Sequence, residues 1–100
     1  MIRHVVLFKL ASTDPAERAE QLAEARRRIR GLVGVVPGVR ELDLVENVLA
    51  DERNYDFAVV GDFDDIAAVE GYATHPAHLE VIDYVSTIRT DARAAIDFAV

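Results

Sequence analysis

Apolar residues recur along this chain in two rhythms. Between residues 2 and 10 they form a short run on both parities, with Val6, Phe8 and Leu10 on one and Val5 and Leu7 on the other. That pattern predicts a strand buried on both faces. Beyond it the interval lengthens: Ala19, Leu22, Ala25, Ile29, Leu32 and Val36 make one helical stripe, with Ala23 and Val33 beside it. Asp14 suits the N-cap of that helix, Pro15 its first position, and Glu17 stands three residues after the cap. Pro37 and Gly38 serve as its structural stop. A second strand covers Val39 to about Asn47, with Leu42 and Leu44 on one side. Residues 48–54 are a connection. Tyr55 to Phe63 is a third strand, with Tyr55, Phe57, Val59 and Phe63 on one face and Ala58 and Val60 on the other. Asp62 to Asp65 offers caps for a short helix through Ile66, Val69 and Tyr72. A second helical piece runs from Pro76 towards Ile88 on a stripe of Leu79, Ile82, Val85 and Ile88. Residues 94–100, with Ile96 and Phe98 aligned, predict a fourth strand.

The order strand, helix, strand, strand, helix in two pieces, strand predicts an α+β fold. It is the ferredoxin-like βαββαβ arrangement, a four-stranded antiparallel sheet with helices on one face. Residues 1–100 read as one domain. Such a layout leaves the second sheet face open, yet several strands carry apolar side chains on both parities. The expected partner is therefore another copy of the chain, packed sheet to sheet as a homodimeric α/β barrel. Each protomer would keep a cleft between its sheet and its helices, able to hold a small hydrophobic ligand.

Composition narrows the chemistry. There is no cysteine, so disulfides, thiolate nucleophiles and thiolate metal ligands are excluded together. The N-terminal run is too short and too charged for a signal peptide, and no apolar stretch approaches the roughly 18 residues of a membrane span. Cytoplasmic location without membrane contact is expected. The formal net charge is -7, and such a field opposes nucleic acid. The one basic run, Arg26 to Arg30, follows Glu17, Glu20 and Glu24 on the same helix. Acid early and base late match the helix dipole, and Glu24 is placed to pair with Arg27 or Arg28.

Candidate chemistry gathers in G-Y-A-T-H-P-A-H, residues 71–78. Pro76 biases His75 towards extended backbone and suits the first position of a new helix, so His75 and Pro76 build a join between two helical pieces. His78 falls in the first turn after that join. A helix N-terminus disfavours imidazolium, which leaves a neutral ring able to accept a proton. Tyr72 lies before the join, with a hydroxyl able to donate to a carbonyl. His4 shares strand parity with Val6 and Phe8, and its ring is expected in the cleft or the dimer core. Pro76 interrupts the geometry by which His75 and His78 could share a metal, and no metal or cofactor is predicted. There is no Gly-rich phosphate loop and no G-x-S-x-G.

These residues carry a resemblance. The chain resembles the stress-responsive α/β-barrel (Dabb) family of the dimeric α/β-barrel superfamily over nearly all its length. The likeness rests on His4 with Val6, Phe8 and Lys9; Val36-Pro37-Gly38; Asn47; Asp56 and Phe57; Phe63; and above all Tyr72, His75, Pro76 and His78 as Y-x-x-H-P-x-H. The resemblance implies a small dimeric protein of unassigned activity, with His4, Val6, Phe8, Phe57, Val59 and His75 along a ligand pocket. The family also includes a plant polyketide cyclase that closes its product by a metal-free intramolecular aldol condensation. By that likeness Tyr72 and His78 would be the catalytic acid–base pair. The cyclase has a further pocket histidine where this chain has Phe57, and a pocket tyrosine near the position of Arg28. A cofactor-free monooxygenase, as found in the superfamily, is a lesser alternative.

Overall fold

The first helix starts as its cap predicts. In the computed structural model, which describes residues 1–100, the Asp14 carboxylate accepts a hydrogen bond from the Glu17 backbone N–H at 2.8 Å, and Pro15 occupies the first helical position. Elements follow in the order β1 (Ile2–Leu10), α1 (Pro15–Arg30), β2 (Val39–Glu46), β3 (Phe57–Phe63), α2 (Ile66–Thr74), α3 (Pro76–Ser86) and β4 (Arg89–Ala99). The strands lie in the order β2-β3-β1-β4, every neighbouring pair antiparallel. This is the ferredoxin-like α+β fold.

One sheet face is covered by helices. Val6, Phe8 and Leu10 of β1, Leu42 and Leu44 of β2, and Phe57, Val59 and Phe63 of β3 are buried there. They meet Leu22, Ala25 and Ile29 of α1 and Val81 and Val85 of α3. The opposite face is built from Val5, Leu7, Val60 and their register partners. It leaves Val45, Ile96 and Phe98 exposed. Arg3 and Asp62 form an ion pair at 2.8 Å on that face, and the Arg3 guanidinium holds the Asp62 carboxyl below the usual range.

Four details differ from the sequence reading, the first being that β3 begins at Phe57 and not at Tyr55. The apolar stripe of α1 continues through Leu32 and Val36, both buried, but the helix ends at Arg30 and residues 31–38 are turns. Gly34 (φ 85°) and Gly38 (φ 82°) take left-handed backbone within them. At Gly38 a Cβ would stand 2.5 Å from that of Ala68 in α2, so the turn also packs closely. α3 buries Val81 and Val85, and Ile88, just beyond its end, is buried with them. Leu79 and Ile82, expected inside, are exposed. β4 begins at Arg89, five residues before the expected start, because an edge strand beside a cavity needs no apolar run there. Asn47 lies just past β2, its backbone N–H still donating to Asp56 O at 2.9 Å.

The basic run of α1 is answered by carboxylates. Arg27 and Arg28 both bond Glu24, which holds that carboxyl down to about 2. Arg30 bonds Asp43 at 2.8 Å. No helix is long and apolar enough to cross a membrane.

Candidate functional site

Pro76 and His75 set the geometry of the site. His75 adopts extended backbone (φ −64°, ψ 134°), ends α2 and caps α3, its Nδ1 accepting from the Ala77 N–H at 3.1 Å. The break turns α3 away from the line of α2. Between these two helices and the sheet lies a cavity of about 400 Å³. Its floor is His4, Val6 and Phe8 of β1 with Val59 of β3. Tyr72 of α2 and His78, Val81 and Val85 of α3 form the opposite wall, and Arg89, Asp91 and Arg93 of β4 line one side.

Tyr72 and His78, six residues apart across the break, come together as stacked rings with centroids 3.8 Å apart and planes at 27°. The stack is face to face, and both residues line the cavity. Tyr72 is buried, and that burial raises its phenol well above the ordinary value. Of the tyrosine hydroxyls only that of Tyr84 donates within the protein, to Gln21 O at 3.4 Å. The Tyr72 hydroxyl stays available to a ligand. Burial is also the leading reason the His78 imidazolium is disfavoured, lowering its pKa below the ordinary 6.5, with the charges of His4 and His75 adding to it. An Nδ1–H donated to Ala73 O at 3.4 Å leaves the His78 Nε2 lone pair free.

His4 stands edge-on to Tyr72, centroids 5.9 Å apart, and edge-on to Phe63 at 5.8 Å. Its Nδ1 bonds the Asp97 carboxylate across the β1–β4 pair. A histidine oriented by a carboxylate keeps its other nitrogen for what fills the cavity.

Of the residues expected along the pocket, His4, Val6, Phe8 and Val59 line the cavity with Tyr72 and His78. Two do not. Phe57 is buried in the core, stacked on Phe8 with centroids 5.2 Å apart. His75 is turned into the helix cap. Pro37 and Gly38 belong to the turn after α1 and take no part in the site. No three His, Asp or Glu side chains converge as a metal-ligand set. Sequence reasoning missed Asp97, Arg89, Asp91 and Arg93. The alternation Arg89, Asp91, Arg93 was the available sign that the last strand starts early with one polar face.

With the geometry in place, known proteins can be set beside it. The family described as Stress responsive A/B Barrel Domain matches residues 2–100. An uncharacterized protein of Streptomyces coelicolor is 36% identical over 78 residues, covering 78% of this chain and 79% of its own. A dimeric protein of unknown function and ferredoxin-like fold from Bacteroides fragilis has a TM-score of 0.86 at 26% identity, over 99% of this chain and 95% of its own. A dimeric ferredoxin-like protein of unknown function from Thermobifida fusca has a TM-score of 0.77 at 28% identity, over 99% and 90%.

Proposed function

This chain belongs to the stress-responsive A/B barrel domain family, and from that premise we propose a homodimer in which each protomer binds a small hydrophobic molecule between its sheet and α2–α3. The cavity carries this reading. Its volume, about 400 Å³, lies in the range of small-molecule sites, and an apolar lining with a few convergent polar groups is their usual make-up. Dimerisation is supported by the bare sheet face, where Val45, Ile96 and Phe98 are exposed, and by the dimeric state given for the Bacteroides and Thermobifida relatives. Light scattering on the eluting protein tests it: a species of about twice the 11.1 kDa chain is expected, and a stable monomer would refute it. Ligand occupancy is tested by native mass spectrometry of purified protein and by titrating hydrophobic ketones while watching the His78 ring resonances. Resonances that stay fixed across all such compounds would remove the binding reading.

The Tyr72–His78 stack favours a second, catalytic reading. His78 Nε2 takes the proton beside a ligand carbonyl while the Tyr72 hydroxyl hydrogen-bonds the carbonyl oxygen. The resulting enolate carbon attacks a second carbonyl of the same molecule, and the proton goes to the new alkoxide. The first half of that step is measurable alone. Deuterium wash-in from D2O at the α-carbons of 4-phenylbutan-2-one should fall about a hundredfold in His78→Gln. Wash-in no faster than in buffer would end the catalytic reading and leave the binding one.

A further inference from the structure

Arginine pairing sets two side chains apart from the rest. The sequence has eleven Lys and Arg residues, of which only Lys9 is lysine. Eight of the ten arginines have a carboxylate oxygen within 4.0 Å. The exceptions are Arg89 and Arg93, and both line the cavity. A chain with 18 acidic residues does not leave two guanidiniums unpaired for want of carboxylates.

Their placement is specific. The Arg89 guanidinium carbon sits 4.9 Å from the centroid of the Phe8 ring, and its Nε donates to Thr90 O at 3.1 Å. The ring and the carbonyl hold the guanidinium in place. Arg93 stands opposite Phe8 in the β1–β4 register, on the same strand face. Asp91 lines the cavity between them but forms an ion pair with neither. Along this side of the cavity two guanidiniums stand with one carboxylate, the other acid of the strand, Asp97, being taken up by His4, and the excess positive charge beside an apolar wall attracts an anion. A monoanion balances that charge, and the planar fork matches a carboxylate.

We infer that the cavity takes a hydrophobic monocarboxylate, its carboxylate held by Arg89 and Arg93 and its apolar body lying towards Tyr72 and His78. The inference rests on the cleft being a ligand site and adds the chemical class of what fills it. It also orients the ligand, because an anchored carboxylate at β4 decides which part of the molecule reaches His78.

The test is calorimetric titration of the full chain with 4-butylbenzoate and with its isosteric neutral amide, 4-butylbenzamide. The acid is expected to bind about a hundredfold more tightly than the amide. Arg93→Gln and Arg89→Gln should each cut that preference roughly tenfold. Arg53→Gln removes the same charge from the connection between β2 and β3 and should change neither. Arg93 is exposed, so its variant decides the matter even if Arg89→Gln, which loses the contact with Phe8, fails to fold. Equal affinity for acid and amide, or an acid preference that survives Arg93→Gln, overturns the inference and leaves the cleft reading standing. Binding of neither compound overturns both.

Discussion

At the β2 end of the sheet, α1 lays Leu22 and Ala25 close over Leu42 and Leu44, all of them buried. Over β1 and β4, α3 and the end of α2 face the sheet across a cavity of about 400 Å³, which Ile29 of α1 also borders. Both ends belong to one helix layer over one sheet, and both are lined mainly by aliphatic side chains. The difference lies in continuity. α1 is a single helix of 16 residues, whereas the other side is covered by pieces of 9 and 11 residues meeting at His75. A continuous helix can keep a whole stripe in register with the sheet. Two short ones, set at an angle by an extended residue, cannot do so, and the space they leave is where Tyr72 and His78 stack. The hollow half is thus a product of backbone punctuation more than of side-chain size.

That contrast can be broken by substitution. The largest effect is expected in the filled half: Leu44→Ala, at a side chain with 1% exposure, should cost about 3 kcal/mol in urea unfolding. A matched pair sharpens the comparison. Val36→Ala removes a side chain enclosed after α1 and should cost about 2 kcal/mol, while Val85→Ala, whose side chain already borders the cavity, should cost about 1 kcal/mol. Equal losses would mean that the cavity wall is packed as tightly as the core. His75→Ala comes next: loss of the cap should cost about 1 kcal/mol, and His75→Asn should restore most of it, since asparagine also caps. A full loss in the asparagine variant would show that the imidazole acts beyond the cap.

The smallest effect is the pH dependence of His78. Its folded pKa lies below the ordinary 6.5, so the unfolded chain binds more protons as pH falls. The stability His78 contributes is complete above about pH 6.5 and is lost as pH drops through that value towards the folded pKa. His78→Phe keeps a ring on Tyr72 and should flatten this part of the stability–pH curve. An unchanged slope in that variant would assign the titration to another group.

The parts of the molecule set by local rules were legible in the sequence. Asp14 and Pro15 start α1, and His75 and Pro76 separate α2 from α3, because caps and proline act over three or four residues. The order of elements along the chain and the paired parities of β1 and β3 also followed from pattern. What failed depended on docking. Leu32 and Val36 are buried without being helical, so burial alone extended α1 past its real end. Leu79 and Ile82 gave a plausible stripe, but the face that α3 buries is chosen by its seat against α1 and the sheet. The early start of β4 was hidden because Arg89 to Arg93 carries its charges towards a cavity, where the usual apolar alternation is absent. Tyr72 and His78 could be named from spacing. Their stacking, and the partnership of His4 with Asp97, could not.

That last contact has a consequence for how the site comes into being. His4 and Asp97 are 93 residues apart, and the strands that carry them pair along most of their length. Closing so long a loop carries an entropic cost that must be met before the contact rewards it. A nascent chain that has made β1, α1, β2, β3 and both short helices therefore already holds the Tyr72–His78 segment. It has as yet no partner for His4 and no arginines at the cavity side. β4 supplies both at once, so the pairing of a single strand with β1 completes the site.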